Sequence, residues 1–147
     1  MRENSMENGA EWDPNVDLEN TARMAEIVEQ IGWPTKSKVG DEASHLAWLL
    51  VQHADANTVF QKRCLDLMRQ APEGEVEKED IAYLTDRIQT AEKGTQTYGT
   101  QFRSSANEAL APWPIEDEDR VDERRSSMGM RPFAEHKETM LKKYGDA

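Results

Sequence analysis

A carboxamide, an imidazole and a carboxylate lie together at the end of an apolar segment, in the run Gln52-His53-Ala54-Asp55. Histidine is the side chain best suited to transfer a proton near neutral pH, and a helix C-terminus favours its charged form. We predict that His53 is a catalytic proton-transfer residue and that Gln52 and Asp55 bind a ligand. The alternative is structural, with His53 capping backbone carbonyl groups and Asp55 capping the next helix.

A second polar group, Tyr98-Gly99-Thr100-Gln101, lies in a stretch with little periodicity. Glycine allows close approach of the backbone to a ligand, and a phenol, a hydroxyl and an amide can orient a substrate. We predict that Tyr98 and Gln101 are catalytic and that Thr100 binds the ligand. The alternative is an ordered turn whose polar groups hold this stretch in place.

Charged residues form a third set of candidates. An inward-pointing arginine can bind a carboxylate or a phosphate through two parallel hydrogen bonds. We therefore predict further ligand-binding residues at Asp86, Arg87, Asp117, Arg124 and Arg125. The alternative is a set of solvated ion pairs on helix surfaces, which is common for such charge runs.

Metal chemistry has little support in the sequence. The single cysteine, Cys64, excludes a thiolate zinc site within one chain. We predict no metal and no cofactor. A divalent metal held by His45, His53 and Asp55 is the alternative, since eight positions are about two helical turns and place both histidines on one face.

Apolar residues recur at helical spacing through most of the chain, and no segment has the pattern of a strand. Helices are predicted at 18–31 (capped by Asp17), 41–55, 56–69, 78–93, 117–128 and 133–144. Gly94 is a predicted helix stop. The fold class is therefore all-α, a compact single-domain bundle of about five to six helices with one long ordered irregular segment, Thr95–Ile115. The domain spans 13–147, after a flexible tail at 1–12.

The composition excludes several classes of partner. The chain has 147 residues, with 18 Lys and Arg against 29 Asp and Glu, and a formal net charge of −11. Such a surface repels phosphates and anionic lipids, so we expect neither nucleic acid nor membrane as a partner. No apolar run reaches the roughly 18 residues of a transmembrane helix, and the N-terminus lacks a signal-peptide core. With a single cysteine, these features predict a cytoplasmic protein.

These motifs resemble a bacterial family classed as a domain of unknown function. The resemblance covers about residues 17–129. It rests on Gly32-Trp33-Pro34, Val39-Gly40, Gln52-His53-Ala54-Asp55, Asp86-Arg87, Tyr98-Gly99-Thr100-Gln101, and Pro114 to Asp117 with Arg124, Arg125 and Gly129. It implies that these residues form one site and implies no activity.

Two functions follow as expectations. The first is a small α-helical enzyme that acts on a small polar or anionic metabolite by acid/base chemistry centred on His53. The alternative is a non-enzymatic ligand-binding or protein-interaction module. In that case the acidic stretches 73–80 and 116–123 would meet a basic partner.

Overall fold

The computed structural model describes residues 13–105 and 107–145, so the predicted tail at 1–12 lies outside the described residues. The protein is mainly helical and also contains a small two-stranded sheet. Within the described residues, no helix combines the length and the apolar character needed to cross a membrane.

The part of the chain that the structure describes contains seven α-helices. Their bounds are α1 Pro14–Ile31, α2 Lys36–Val39, α3 Asp41–Gln52, α4 Thr58–Gln70, α5 Lys78–Lys93, α6 Val121–Ser127 and α7 Phe133–Tyr144. A single 3-10 turn, Glu118–Arg120, precedes α6. The strands are β1 Phe102–Ser105 and β2 Glu108–Pro112.

The hydrophobic core lies among α1, α3, α4 and α5, because each of these helices places an apolar stripe toward the others. The turn after α1 adds Trp33 to this core. The buried apolar members are Met24, Val28, Trp33, Ala47, Trp48, Val51, Phe60, Cys64, Leu65, Met68, Leu84 and Ile88. The last two helices, α6 and α7, pack on each other, and α7 also contacts β2.

Two predicted helix starts are corrected by the structure. Helix α1 begins one turn earlier than expected, because Asp13 rather than Asp17 is the N-cap and its carboxylate accepts from the amide of Asn15. Helix α4 is capped by Asn57, whose side chain accepts from Phe60 N at 3.0 Å. Asp55 is therefore not the cap, and its carboxylate is used elsewhere.

The all-α expectation is also corrected, because part of the predicted irregular segment forms an antiparallel hairpin. Phe102 pairs with Pro112 and Arg103 with Ala111, followed by an irregularity before the Ser105 pair with Glu108. A bridge between Gln96 and Ile115 closes the base of this segment. These strands carry no β-branched residue, so the sequence has little strand signal there.

Candidate functional site

The loop Thr97–Gln101 follows α5 and is held by a buried carboxylate. Asp86 of α5 is 0 % exposed. It accepts hydrogen bonds from the backbone amides of Thr97 (2.8 Å), Tyr98 (2.9 Å) and Thr100 (3.0 Å), and from the Thr100 hydroxyl (2.8 Å). Burial raises the pKa of Asp86, and these four donated bonds oppose that shift. Since every contact is donated to it, the geometry suits the ionised carboxylate.

The loop backbone passes close to α7 at its glycine. Gly99 has a φ of +76°, in the left-handed region, and a Cβ built on it would lie 2.7 Å from Cδ1 of Phe133. Glycine is therefore required here for two reasons: it tolerates the left-handed conformation, and it leaves space for the Phe133 ring.

A buried glutamine joins the loop to the base of the hairpin. Gln96 is 0 % exposed. Its Nε2 donates to the carbonyl groups of Gln101 and Trp113, both at 2.9 Å, and its Oε1 accepts from Gln101 N at 2.8 Å. Sequence reasoning missed this residue. A lone glutamine after a helix stop carries no sequence signal, because its partners are known only from the fold.

The carbonyl groups of the loop are bound by two arginines of α6. Arg124 donates from Nε to Thr97 O at 2.8 Å, and its Nη atoms donate to the carbonyls of Asp117 and Glu116. Arg125 donates from Nη1 to Tyr98 O and from Nε to Arg131 O, both at 2.7 Å. The loop is thus fixed on its amide side by Asp86 and on its carbonyl side by these guanidinium groups.

A separate cluster lies where α3 ends beside α5. Arg87 donates to the Asp55 carboxylate through Nε (3.0 Å) and Nη2 (2.7 Å), which is a bidentate ion pair. Gln61 donates to the same carboxylate at 3.4 Å. Gln52 is buried and its Nε2 lies 3.5 Å from Tyr83 O, whereas His53 forms the C-terminal cap of α3 through its amide.

The predicted site residues therefore fall into two groups. Six of them surround the Thr97–Gln101 loop: Asp86, Tyr98, Thr100, Gln101, Arg124 and Arg125. Four lie at the α3 end: Gln52, His53, Asp55 and Arg87. Asp117 precedes the 3-10 turn with a φ of +45° and contributes its carbonyl to Arg124.

A polar cavity of about 330 Å³ lies beside Arg125, between α5, α6 and α7. We call it the basic cavity. Its charged and hydroxyl or imidazole side chains are Glu79, Tyr83, Arg125, Arg131, His136, Thr139, Lys143 and Tyr144. Among the described residues lining it, three cations face a single carboxylate. This sign of charge is opposite to that of the whole protein.

Arg125 differs from the other arginines at the site in its burial. Its residue is 2 % exposed, yet within residues 13–105 and 107–145 no carboxylate lies at ion-pair distance from it. Asp122, Asp86 and Glu79 act on it only as more distant charges. Its Nη2 makes no hydrogen bond within the same residues, so one edge of the guanidinium group is left for another acceptor.

His136 of α7 lines the same cavity and was not predicted. The ring packs edge-on against Tyr83 (6.5 Å between centroids) and Phe102 (5.6 Å). Burial, with the charges of Arg125 and Arg131, lowers its pKa to about 4, so the imidazole is neutral at pH 7. The polar helix face around it gave no signal of this burial, since both aromatic neighbours come from other elements.

A second cavity, of about 640 Å³, adjoins the first through Glu79 and Gly129 and is lined by Tyr98. Two of its cations already have partners. Lys36 pairs with Glu77, and Lys78 lies 3.4 Å from Glu73. Its charges are therefore largely matched within the protein, unlike those of the basic cavity.

Two of the three residues of the alternative metal site bind other residues of the protein. His45 lies 3.1 Å from Asp80 through Nδ1, whereas Asp55 binds Arg87. Burial raises the pKa of Asp80 and the contact with His45 opposes this. No group of three His, Cys, Asp or Glu side chains in the described part of the chain has an arrangement that could hold a metal ion.

The fold and the site define a mainly helical protein in which a buried carboxylate and two arginines fix a loop beside a basic cavity. Residues 8–146 match the family described as "Family of unknown function (DUF6624)". The chain belongs to this family. No curated protein and no solved structure matches it.

Proposed function

We propose that this protein binds a small anionic molecule in the basic cavity, with Arg125, Arg131 and Lys143 as the groups that hold it. The observation that carries the proposal is the burial of the Arg125 guanidinium without a carboxylate partner in the described chain. A buried charge is costly unless it is paired, and a bound anion would provide that pair.

The chemistry of the lining favours a carboxylate or a phosphate-type oxyanion. A guanidinium group binds such oxygens through parallel hydrogen bonds, and Lys143 adds a point charge. The hydroxyl groups of Tyr83, Thr139 and Tyr144 could bind further oxygens. A volume of about 330 Å³ is at the lower end of ligand sites, so the ligand should be small.

The second candidate function is catalysis on the bound anion, and the position of His136 in the cavity wall favours it. A neutral imidazole on the wall of a ligand cavity can accept a proton, although a pKa of about 4 makes it a weak general base. His53, Tyr98 and Gln101, predicted from the sequence to be catalytic, stay predictions for the same acid/base chemistry. The metal at His45, His53 and Asp55 likewise stays the alternative to a cofactor-free site.

A protein-interaction module with an acidic surface ranks below these candidates. Several acidic residues of the proposed face already pair with lysines of the same chain: Glu73, Glu77 and Glu116. Nucleic acid and membranes are not proposed as partners, for the reasons of charge given above. The cytoplasmic location and the bacterial origin stay predictions.

The proposal can be tested by comparing anion binding by variants of two adjacent lysines. Lys143 lines the basic cavity, whereas Lys142 is 74 % exposed and pairs with Glu138. We would measure binding of sulfate, phosphate and citrate by calorimetry and by the rise in the unfolding temperature. Lys143→Ala and Arg131→Gln should each weaken binding by about tenfold, or about 1.4 kcal/mol. Lys142→Ala should bind as the wild type does.

Arg131→Gln is a clean variant because the contact of Arg125 Nε is with the backbone carbonyl of residue 131, which the substitution keeps. The proposal would be overturned if the wild type bound none of the three anions. Equal binding by the wild type and the Arg131→Gln/Lys143→Ala double variant would also overturn it, since the anion would then sit elsewhere.

A further inference from the structure

His136 is placed so that it can respond to an anion in the basic cavity. Its ring lines the cavity and is held between Tyr83 and Phe102. Its Nε2 is enclosed and has no hydrogen-bond partner in the described part of the chain. This leaves Nδ1 as the ring nitrogen available to a ligand.

The charged and titratable groups that line the cavity with this imidazole come from three helices and one connection. They are Glu79 and Tyr83 of α5, Arg125 of α6, Arg131 of the α6–α7 connection, and Lys143 and Tyr144 of α7. Without an anion, protonation of His136 would add a fourth positive charge to three, against one carboxylate. Arg125 and Arg131 both oppose that protonation, as does burial.

An oxyanion in the cavity would reverse this balance. Its negative charge would offset the two arginines, and its oxygens could accept a hydrogen bond from a protonated ring nitrogen. The bound state therefore favours the charged form of His136 and the unbound state favours the neutral form.

We infer that His136 takes up a proton when an oxyanion enters the basic cavity and donates a hydrogen bond from Nδ1 to it. This inference rests on the proposed function and adds a binding residue to that site. It also specifies the ligand class, because a site with a protonated His136 prefers oxyanions that accept a hydrogen bond. Such a site binds these oxyanions more tightly as the pH falls. One linked proton changes the affinity by at most about tenfold per pH unit.

Sulfate is the probe for the experiment, because its own charge is constant across the range and only the protein titrates. Calorimetry at about pH 5.5 in two buffers of different ionisation enthalpy counts the protons taken up on binding. The wild type should take up close to one proton, and its affinity should fall as the pH rises to about 8. Lys142→Ala should behave in the same way.

His136→Gln is the decisive variant, because its amide does not titrate. It should take up no proton, and its affinity should not change with pH. If this variant does not fold, the ring signals of the three histidines in the wild type can be followed by NMR. One of them should titrate near pH 4 without sulfate and above about pH 6 with it.

The failures of the two proposals can be told apart. Absence of sulfate binding at every pH overturns the proposed function, and this inference with it. Sulfate binding that depends on Lys143 and Arg131 but involves no proton uptake overturns the role of His136 alone. Proton uptake that persists in His136→Gln also overturns that role, since another group would then be titrating.

Discussion

Asp86 and Arg125 are buried charges on opposite sides of the Thr97–Gln101 loop, and their surroundings differ. Asp86 receives four hydrogen bonds, three of them from the loop backbone. Arg125 donates to two carbonyls, has no carboxylate at ion-pair distance in the described chain, and lines a cavity. The comparison indicates that Asp86 is saturated and structural, whereas Arg125 has capacity left for a ligand.

The first prediction tests the structural side of this comparison and has the largest expected effect. Asp86→Ala leaves three backbone amides and the Thr100 hydroxyl without their acceptor. We expect a loss of about 4 kcal/mol in the free energy of unfolding, measured by urea denaturation. Asp55→Ala is the control, because that carboxylate is half exposed and should cost about 1 kcal/mol. Similar losses for both variants would contradict the structural role of Asp86.

The second prediction tests how tightly the loop is packed against α7. Gly99→Ala adds a Cβ at 2.7 Å from the Phe133 ring, on a backbone with positive φ. We expect a loss of about 3 kcal/mol in unfolding free energy, of which about 1 comes from the backbone and the rest from the clash. Gly94→Ala is matched, since its φ is +73° and nothing lies within 4 Å of the added Cβ. An equal cost for both would show that the loop can move away from α7.

The sequence predicts the helical part of the fold well, for local reasons. The apolar spacing and the stop at Gly94 give α5 its bounds, and α7 is confirmed over Phe133–Tyr144. The hairpin was missed because β1 and β2 are largely exposed and have weak strand propensity. Local patterns thus define helices, whereas pairing between weak strands depends on the segments that flank them.

The candidate site was less predictable, because its contacts are distant in the sequence. Asp86 was singled out, but its partners lie 11 to 14 positions later, at the loop amides. The sequence suggested that Arg124 and Arg125 point inward, yet not that they bind backbone carbonyls. The burial of His136 depends on neighbours from α5 and β1, so no pattern on α7 could indicate it.

The third prediction tests the ligand side of the comparison. Arg125→Met removes two charged donors from backbone carbonyls but also removes a buried charge that lacks a carboxylate partner in the described chain. Because these effects oppose each other, we expect a loss of only about 1–2 kcal/mol in unfolding free energy. The stabilisation of the wild type by sulfate should disappear in this variant. A loss as large as that of Asp86→Ala, with the sulfate effect retained, would contradict a ligand role for Arg125.

The fourth prediction concerns the effect of pH through the half-buried His136. Its pKa of about 4 in the folded protein lies below the value of about 6.5 expected for the unfolded chain. Protonation therefore favours unfolding: the stabilisation is complete above about pH 6.5 and is lost as the pH falls toward 4. The difference in unfolding free energy between the wild type and His136→Gln should shrink across this window. Carboxylates titrate alike in both proteins, so the difference isolates the imidazole.

Saturating sulfate should reduce this loss of stability at low pH, because a bound anion stabilises the imidazolium in the folded state. A difference that stays constant between pH 6.5 and 4 would mean that neither burial nor the cations of the basic cavity lower the pKa of His136.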